Sequence, residues 1–132
     1  MKLKLFILIL ICFLFTCKTN TPLRPSVSIN AYDVVSSPPD IQVNSMGIWS
    51  AHKGELGRIE VVDQEGNVLT TGFLTTTINW MKEGPIVFKT HLEFDPKNAE
   101  KGALIIYNNP GDGDGTEAGE VHQFEIPIRF KP

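Results

Sequence analysis

The sequence predicts an all-β domain, a β-sandwich of about seven strands. Short segments in which apolar and polar residues alternate predict half-buried strands, and glycine, proline or asparagine turns separate them. No window of the chain shows convincing helical periodicity. Seven or so short strands with turn signals between them are typical of a β-sandwich, and 132 residues are enough for one such domain.

Residues 1–16 are predicted to be a lipoprotein signal peptide. Two lysines precede an apolar run over residues 5–15, which has the length of a secretory signal but is too short to span a bilayer. The run ends in "LFTC", which resembles a bacterial lipobox and implies that Cys17 carries a lipid and becomes the mature N-terminus. A diacylglyceryl group supplies the two chains that durable anchoring needs. The alternative is an ordinary cleaved signal in which Cys17 has no role.

Charge and cysteine content exclude several functions. Cleavage would remove two of the 12 basic residues and none of the 15 acidic ones, which changes the net charge from −3 to −5. This balance argues against nucleic-acid binding and supplies no basic patch for anionic lipid. The only cysteines are Cys12 and Cys17, so the body of the protein has no disulfide, thiolate zinc site or cysteine nucleophile.

The mature chain is predicted to begin with the lipidated Cys17 and a flexible tether over residues 17–27, followed by the β domain over residues 28–132. The tether is polar and contains two prolines. The first two strand candidates, "SVSIN" and "DIQV", are short. The segments "GRIEVVD", with Ile59 and Val61 buried, and "NVLTTGFLT" form a predicted hairpin around Glu65-Gly66-Asn67.

The later strands carry the clearest patterns. In "PIVFKTHLEF" and "VHQFEIPIRF" the alternate apolar residues share one face, as expected for half-buried strands. These predicted core residues are Ile86, Phe88, Leu92, Phe94, Phe124, Ile126, Ile128 and Phe130. "ALIIYN" is apolar on both faces, which predicts a central strand. Pro127 has no N–H to donate, so the last strand is predicted to be an edge strand or to contain a bulge.

Several blocks together resemble a known family. They are "SSPPDIQV", Gly47 with Trp49, "IEVVDQEGNVL", "NWMKEGPIVFKTHLEF", "GALIIYNNP" and "EIPIRF". Their order and spacing over Ile29–Phe130 resemble the bacterial spore-germination immunoglobulin-like domain family. The resemblance implies an immunoglobulin-like β-sandwich without catalytic residues, of a kind that serves as an adhesive or accessory module of envelope proteins.

The loop "NNPGDGDGTEAGE" raises the question of a metal site. Asp112 and Asp114 alternate as calcium ligands do, but the residues that follow do not fit the spacing of an EF-hand. A looser calcium site could use Asp112, Asp114, Glu117 and Glu120. A solvated glycine-rich connector between the last two strands is the favoured interpretation, because such a segment has little to bury.

Two aromatic residues and one histidine are the candidates for ligand binding. Trp80 is predicted to lie in the core, whereas for Trp49 the core and a surface for stacking a ligand remain equal alternatives. The candidate ligand-binding residues are Trp49, beside the polar stretch "SAHKGELG", and His52, within it. The three histidines of the chain lack the spacing of a metal motif, and no catalytic motif is present.

The sequence therefore predicts an exported, lipid-anchored and non-enzymatic protein of the bacterial cell envelope. It would need no cofactor, attach to the membrane through Cys17, and bind an envelope protein or glycan. The alternative is a ligand-binding module for carbohydrate or calcium.

Overall fold

A computed structural model describes residues 23–82, 84–111 and 119–132. Its strands are β1 (Ser26–Val27), β2 (Ile41–Asn44), β3 (Glu55–Asp63), β4 (Val68–Thr75), β5 (Val87–Thr90), β6 (Lys101–Asn108) and β7 (Gln123–Arg129). They pair antiparallel in the order β1-β2-β5-β4-β3-β6-β7 and form one sheet that curls into a half-barrel. Over these residues there is no helix, and consequently none long and apolar enough to cross a membrane.

The all-β prediction is confirmed, whereas the predicted sandwich of two sheets is not. All seven strands belong to a single sheet because β4 and β5 are joined through one registered pair, Thr75 with Lys89. Alternation within each strand could not reveal this link, since it depends on how distant strands meet. Pairing begins at Ser26, two residues before the predicted domain boundary at residue 28.

The concave side of the sheet encloses one core. Side chains from six strands and from the connections next to them are buried together: Val35, Ile41, Val43, Leu56, Ile59, Val61, Leu74, Ile86, Phe88, Leu92, Leu104, Ile106, Ile126, Ile128 and Phe130. Each large apolar side chain buried in this way stabilises the fold by about 1.5–3 kcal/mol relative to its exposed state. The predicted core faces of the segments around β5 and β7 are confirmed for all but Phe94 and Phe124, which are only partly buried.

The position of β7 at the edge of the sheet confirms the prediction made from Pro127. The outer side of β7 is covered by residues 32–35, which run alongside it. Tyr32 donates its N–H to the carbonyl of Pro127 at 2.7 Å, and Val35 donates to Arg129 at 2.8 Å. Proline fits at position 127 because the covering segment donates a hydrogen bond to its carbonyl and requires no N–H from it.

The predicted turn between β3 and β4 is confirmed and is organised by Asp63. One oxygen of its carboxylate accepts hydrogen bonds from the N–H groups of Glu65 and Asn67, both at 2.9 Å, and the other accepts one from the Asn67 side chain at 3.0 Å. Gly66 supplies the positive φ of 86° that the turn requires. The hydrogen bond from the Asn67 side chain, followed by that from its backbone, holds the pKa of Asp63 below its ordinary value of 3.8.

Asp63→Asn is therefore expected to destabilise the domain at neutral pH and to have less effect in acid. The folded-state pKa is depressed, so the contribution of the carboxylate is present above the unfolded-state pKa and is lost as the pH falls through the folded-state pKa. Urea unfolding of both proteins at neutral pH and in acid checks this. A stability difference that stays constant with pH would contradict it.

Candidate functional site

One end of the sheet collects the features that suggest binding. The chain enters the described structure there at residue 23, and the strands alternate in direction, so every second connection returns to the same end. We call it the entry end, and it consists of residues 23–25, 45–54, 76–82, 84–86, 109–111 and 119–122. Residues 109–111 and 119–122, which flank the acidic segment in the sequence, both lie at this end.

Exposed apolar side chains concentrate at the entry end. The large apolar residues exposed there are Leu23, Met46, Ile48, Ile78, Met81 and Val121. They are six of the 11 exposed large apolar side chains in the described part of the chain. Single exposed apolar residues are ordinary, but a concentration of them on one surface usually marks an interaction site. The entry end is therefore the best candidate for a binding surface.

Both tryptophans line one hollow of about 480 Å3, which we call the tryptophan hollow. Ser45, Ser50 and Lys82 are among its other lining residues, so it combines two indole rings with hydroxyl and ammonium groups. Trp80 lies over Gly54, where a Cβ would be 3.5 Å from the indole ring. The φ of Gly54 is 81°, so glycine here allows both the turn and the contact with Trp80.

A second hollow of about 530 Å3 adjoins the first, and Trp49 lines both. We call it the apolar hollow, because Leu23, Ile48, Val121 and Phe124 contribute most of its large apolar side chains. The rings of Trp49 and Phe124 are 5.5 Å apart and tilted by 56°, an arrangement that aromatic pairs favour. The guanidinium of Arg24 lies 4.7 Å from the centre of the Phe124 ring.

The connection after β2 is held in place by the buried Ser45. Its hydroxyl accepts a hydrogen bond from the N–H of Ile86 at 3.0 Å, and its own N–H donates to the Ile86 carbonyl at 2.9 Å. Its carbonyl accepts a hydrogen bond from the N–H of Ile48 at 2.9 Å. These bonds fix the segment that carries Ile48 against the segment that precedes β5, so this part of the surface is preorganised.

Asn108 and Asn109 connect the remaining segments of the entry end. The Asn108 side chain donates to the carbonyl of Glu120 at 2.8 Å and accepts from the N–H of His122 at 2.7 Å. The Asn109 side chain donates to the carbonyl of Glu55 at 3.2 Å. Asn108 thus holds the segment before β7 against the end of β6. Asn109 holds the start of β3 there in the same way. In the sequence they look like ordinary turn residues, and nothing local indicates this role.

The structure brings the candidate residues Trp49 and Trp80 together around one hollow and places His52 outside its lining. Both tryptophans are half-buried, with one part packed against the core and another lining the tryptophan hollow. Trp80 is thus a partial core residue rather than a fully buried one. His52 pairs with Glu55 through its backbone, and its ring lies beside Gly111, where a Cβ would be 3.6 Å from Nδ1. It is not among the described residues that line either hollow.

The predicted lipidation and calcium sites lie mostly outside the described residues. Cys17 belongs to residues 1–22, and Asp112, Asp114 and Glu117 belong to residues 112–118, which the structure does not describe. Glu120 is exposed, and its carboxylate lies 3.6 Å from Nε2 of His122. Within residues 23–82, 84–111 and 119–132, no group of three or more His, Cys, Asp or Glu side chains is placed to bind a metal ion.

The exposed apolar residues of the entry end were not predicted as site residues. Ile48, Met81 and Val121 follow strand ends, where polar turn residues are the usual choice. Apolar residues in connections are the sequence signal that could have identified this binding surface. The signal does not show that the three segments lie at one end of the sheet.

Comparison with known proteins found no matching family, no similar characterised protein and no similar solved structure. The resemblance to the spore-germination immunoglobulin-like domain family therefore stays a prediction.

Proposed function

We propose that this protein is a lipid-anchored, non-enzymatic accessory or adhesive module of the bacterial cell envelope, which binds another envelope component through its entry end. The observation that carries the proposal is the concentration of exposed apolar side chains beside the two tryptophans. Aromatic and apolar anchors in preformed hollows are typical of binding surfaces. The signal and the lipobox-like "LFTC" support the envelope location.

The curled sheet is compatible with an immunoglobulin-like sandwich in which the strands divide into β1-β2-β5 and β4-β3-β6-β7. Two features support this division. The link between β4 and β5 is a single registered pair, and the buried faces of both groups pack in the same core. An experimental structure in which β4 and β5 pair along their whole length would contradict the division.

Trp80→Ala combined with Met81→Ser is expected to weaken partner retention about ten-fold or more in a pull-down from native membranes. The loss of a central aromatic anchor typically costs at least about 2 kcal/mol of binding free energy. Tyr32→Ala is the matched control, because it removes an exposed aromatic ring from the segment that covers the outer edge of β7, outside the entry end. Equal retention by the wild type and the Trp80 and Met81 variant, or equal loss in the control, would contradict the proposal.

Carbohydrate binding in the tryptophan hollow is the second candidate function. It is favoured by one specific arrangement: both indole rings border the same hollow, with the hydroxyl of Ser50 and the ammonium group of Lys82 nearby. Saturable retention of the protein on envelope glycan, lost in Trp80→Ala and kept in Tyr32→Ala, would support this candidate. Retention that is the same in all three proteins would contradict it.

A further inference from the structure

We propose that the apolar hollow of the entry end docks on the lipid bilayer to which Cys17 anchors the protein, with Leu23, Ile48 and Val121 in contact with the membrane interface. This inference rests on the lipid anchor proposed above. It adds an orientation, because it assigns the bilayer as the occupant of the apolar hollow, leaves the tryptophan hollow to the envelope partner, and turns the opposite end of the domain away from the membrane.

The length of chain between the anchor and the fold limits which end can face the membrane. Cys17 and Leu23 are six residues apart, and six fully extended residues span about 20 Å at most. Strand β3 alone has nine residues and is therefore about 30 Å long. Leu23 lies at the entry end, so the tether is too short to run back along the sheet and place the opposite end on the bilayer.

The side chains at this end suit a membrane interface. Leu23 is 83% exposed and Val121 is 66% exposed, and both border a hollow whose wall is formed by Trp49 and Phe124. Tryptophan is enriched where membrane and water meet, since its ring is apolar and its N–H is polar. Arg24, stacked on Phe124, can keep its guanidinium among headgroups while its stem contacts the apolar wall.

The charge of this surface indicates which part of the lipid is recognised. Among the described residues of this surface, Arg24 and Glu120 are charged and have opposite signs, so the surface has no basic excess. Such a surface gains little from anionic headgroups. The contact should therefore be with the boundary between headgroups and acyl chains, and it should form on uncharged lipid.

Quenching of Trp49 by lipid-borne bromine tests the proposal. The full-length lipidated protein with Trp80→Phe, which leaves Trp49 as the only tryptophan, is reconstituted into phosphatidylcholine vesicles with brominated acyl chains. We expect quenching of Trp49 emission, and its loss when Ile48→Ser and Val121→Ser are added. Val68→Ser, at a valine that is 55% exposed at the opposite end, is the matched control and should keep the quenching.

Flotation with the vesicles separates this proposal from the anchor on which it rests. A wild-type chain that floats and shows no quenching overturns the docking alone. Equal quenching before and after the Ile48 and Val121 substitutions also overturns it. A chain that does not float overturns the anchor and the docking with it.

Discussion

Phe88→Ala is expected to lower the free energy of unfolding by about 3–5 kcal/mol, the usual cost of removing a buried aromatic ring. Phe88 is 1% exposed and lies in β5, paired with Val43 of β2. The substitution removes the transfer free energy of the ring and leaves a cavity that the tightly paired strands cannot close fully. Urea unfolding, followed by far-ultraviolet circular dichroism, measures the loss.

Phe73→Ala is the matched control for Phe88→Ala. Phe73 lies in β4 and is 57% exposed, so its removal should change the stability by only about 0.5 kcal/mol, as is usual for surface positions. Similar losses in the two variants would show that the assignment of inner and outer faces is wrong.

Cys17→Ser is expected to abolish lipid labelling and to leave the protein either unprocessed or detached from the membrane, the largest effect on localisation of any single substitution. The thiol is the proposed site of the diacylglyceryl group, and the proposed contact of the apolar hollow with the bilayer is not expected to hold the protein without it. Membrane fractionation with radiolabelled palmitate measures both properties. Serine at position 17 should give an unprocessed or unanchored protein without label.

Cys12→Ser is the control for Cys17→Ser, because it changes the other cysteine of the chain within the segment predicted to be removed. It should be processed, labelled and anchored like the wild type. A wild-type protein that takes no label, together with a Cys17→Ser variant that remains in the membrane at normal size, would contradict the lipid anchor.

The strands could be predicted because their patterns are local. Alternation places Ile59 and Val61 on one face of β3, and both are fully buried. The turn after β3 could likewise be predicted from its own residues, since Gly66 supplies the required φ and Asp63 binds the N–H groups that follow it. Period-two patterns and turn residues act over a few positions, so a single sequence contains them.

The closure of the sheet and the candidate site could not be predicted in the same way. The pair of Thr75 and Lys89 and the covering of β7 by residues 32–35 depend on contacts between distant segments. The entry end likewise combines Leu23, Ile48 and Val121 from three separate segments. Each residue alone is an unremarkable apolar side chain in a connection, and only the antiparallel topology brings the three together.

The central claim, that the entry end is the binding surface of an envelope protein, is tested most directly by site-specific photo-cross-linking in intact cells. A photo-reactive amino acid is placed at position 81 of the full-length protein, beside the tryptophan hollow, or at position 68, at the opposite end. We expect a discrete adduct with an envelope component from position 81 and none from position 68. Adducts from position 68 alone, or no adduct from either position, would contradict the claim.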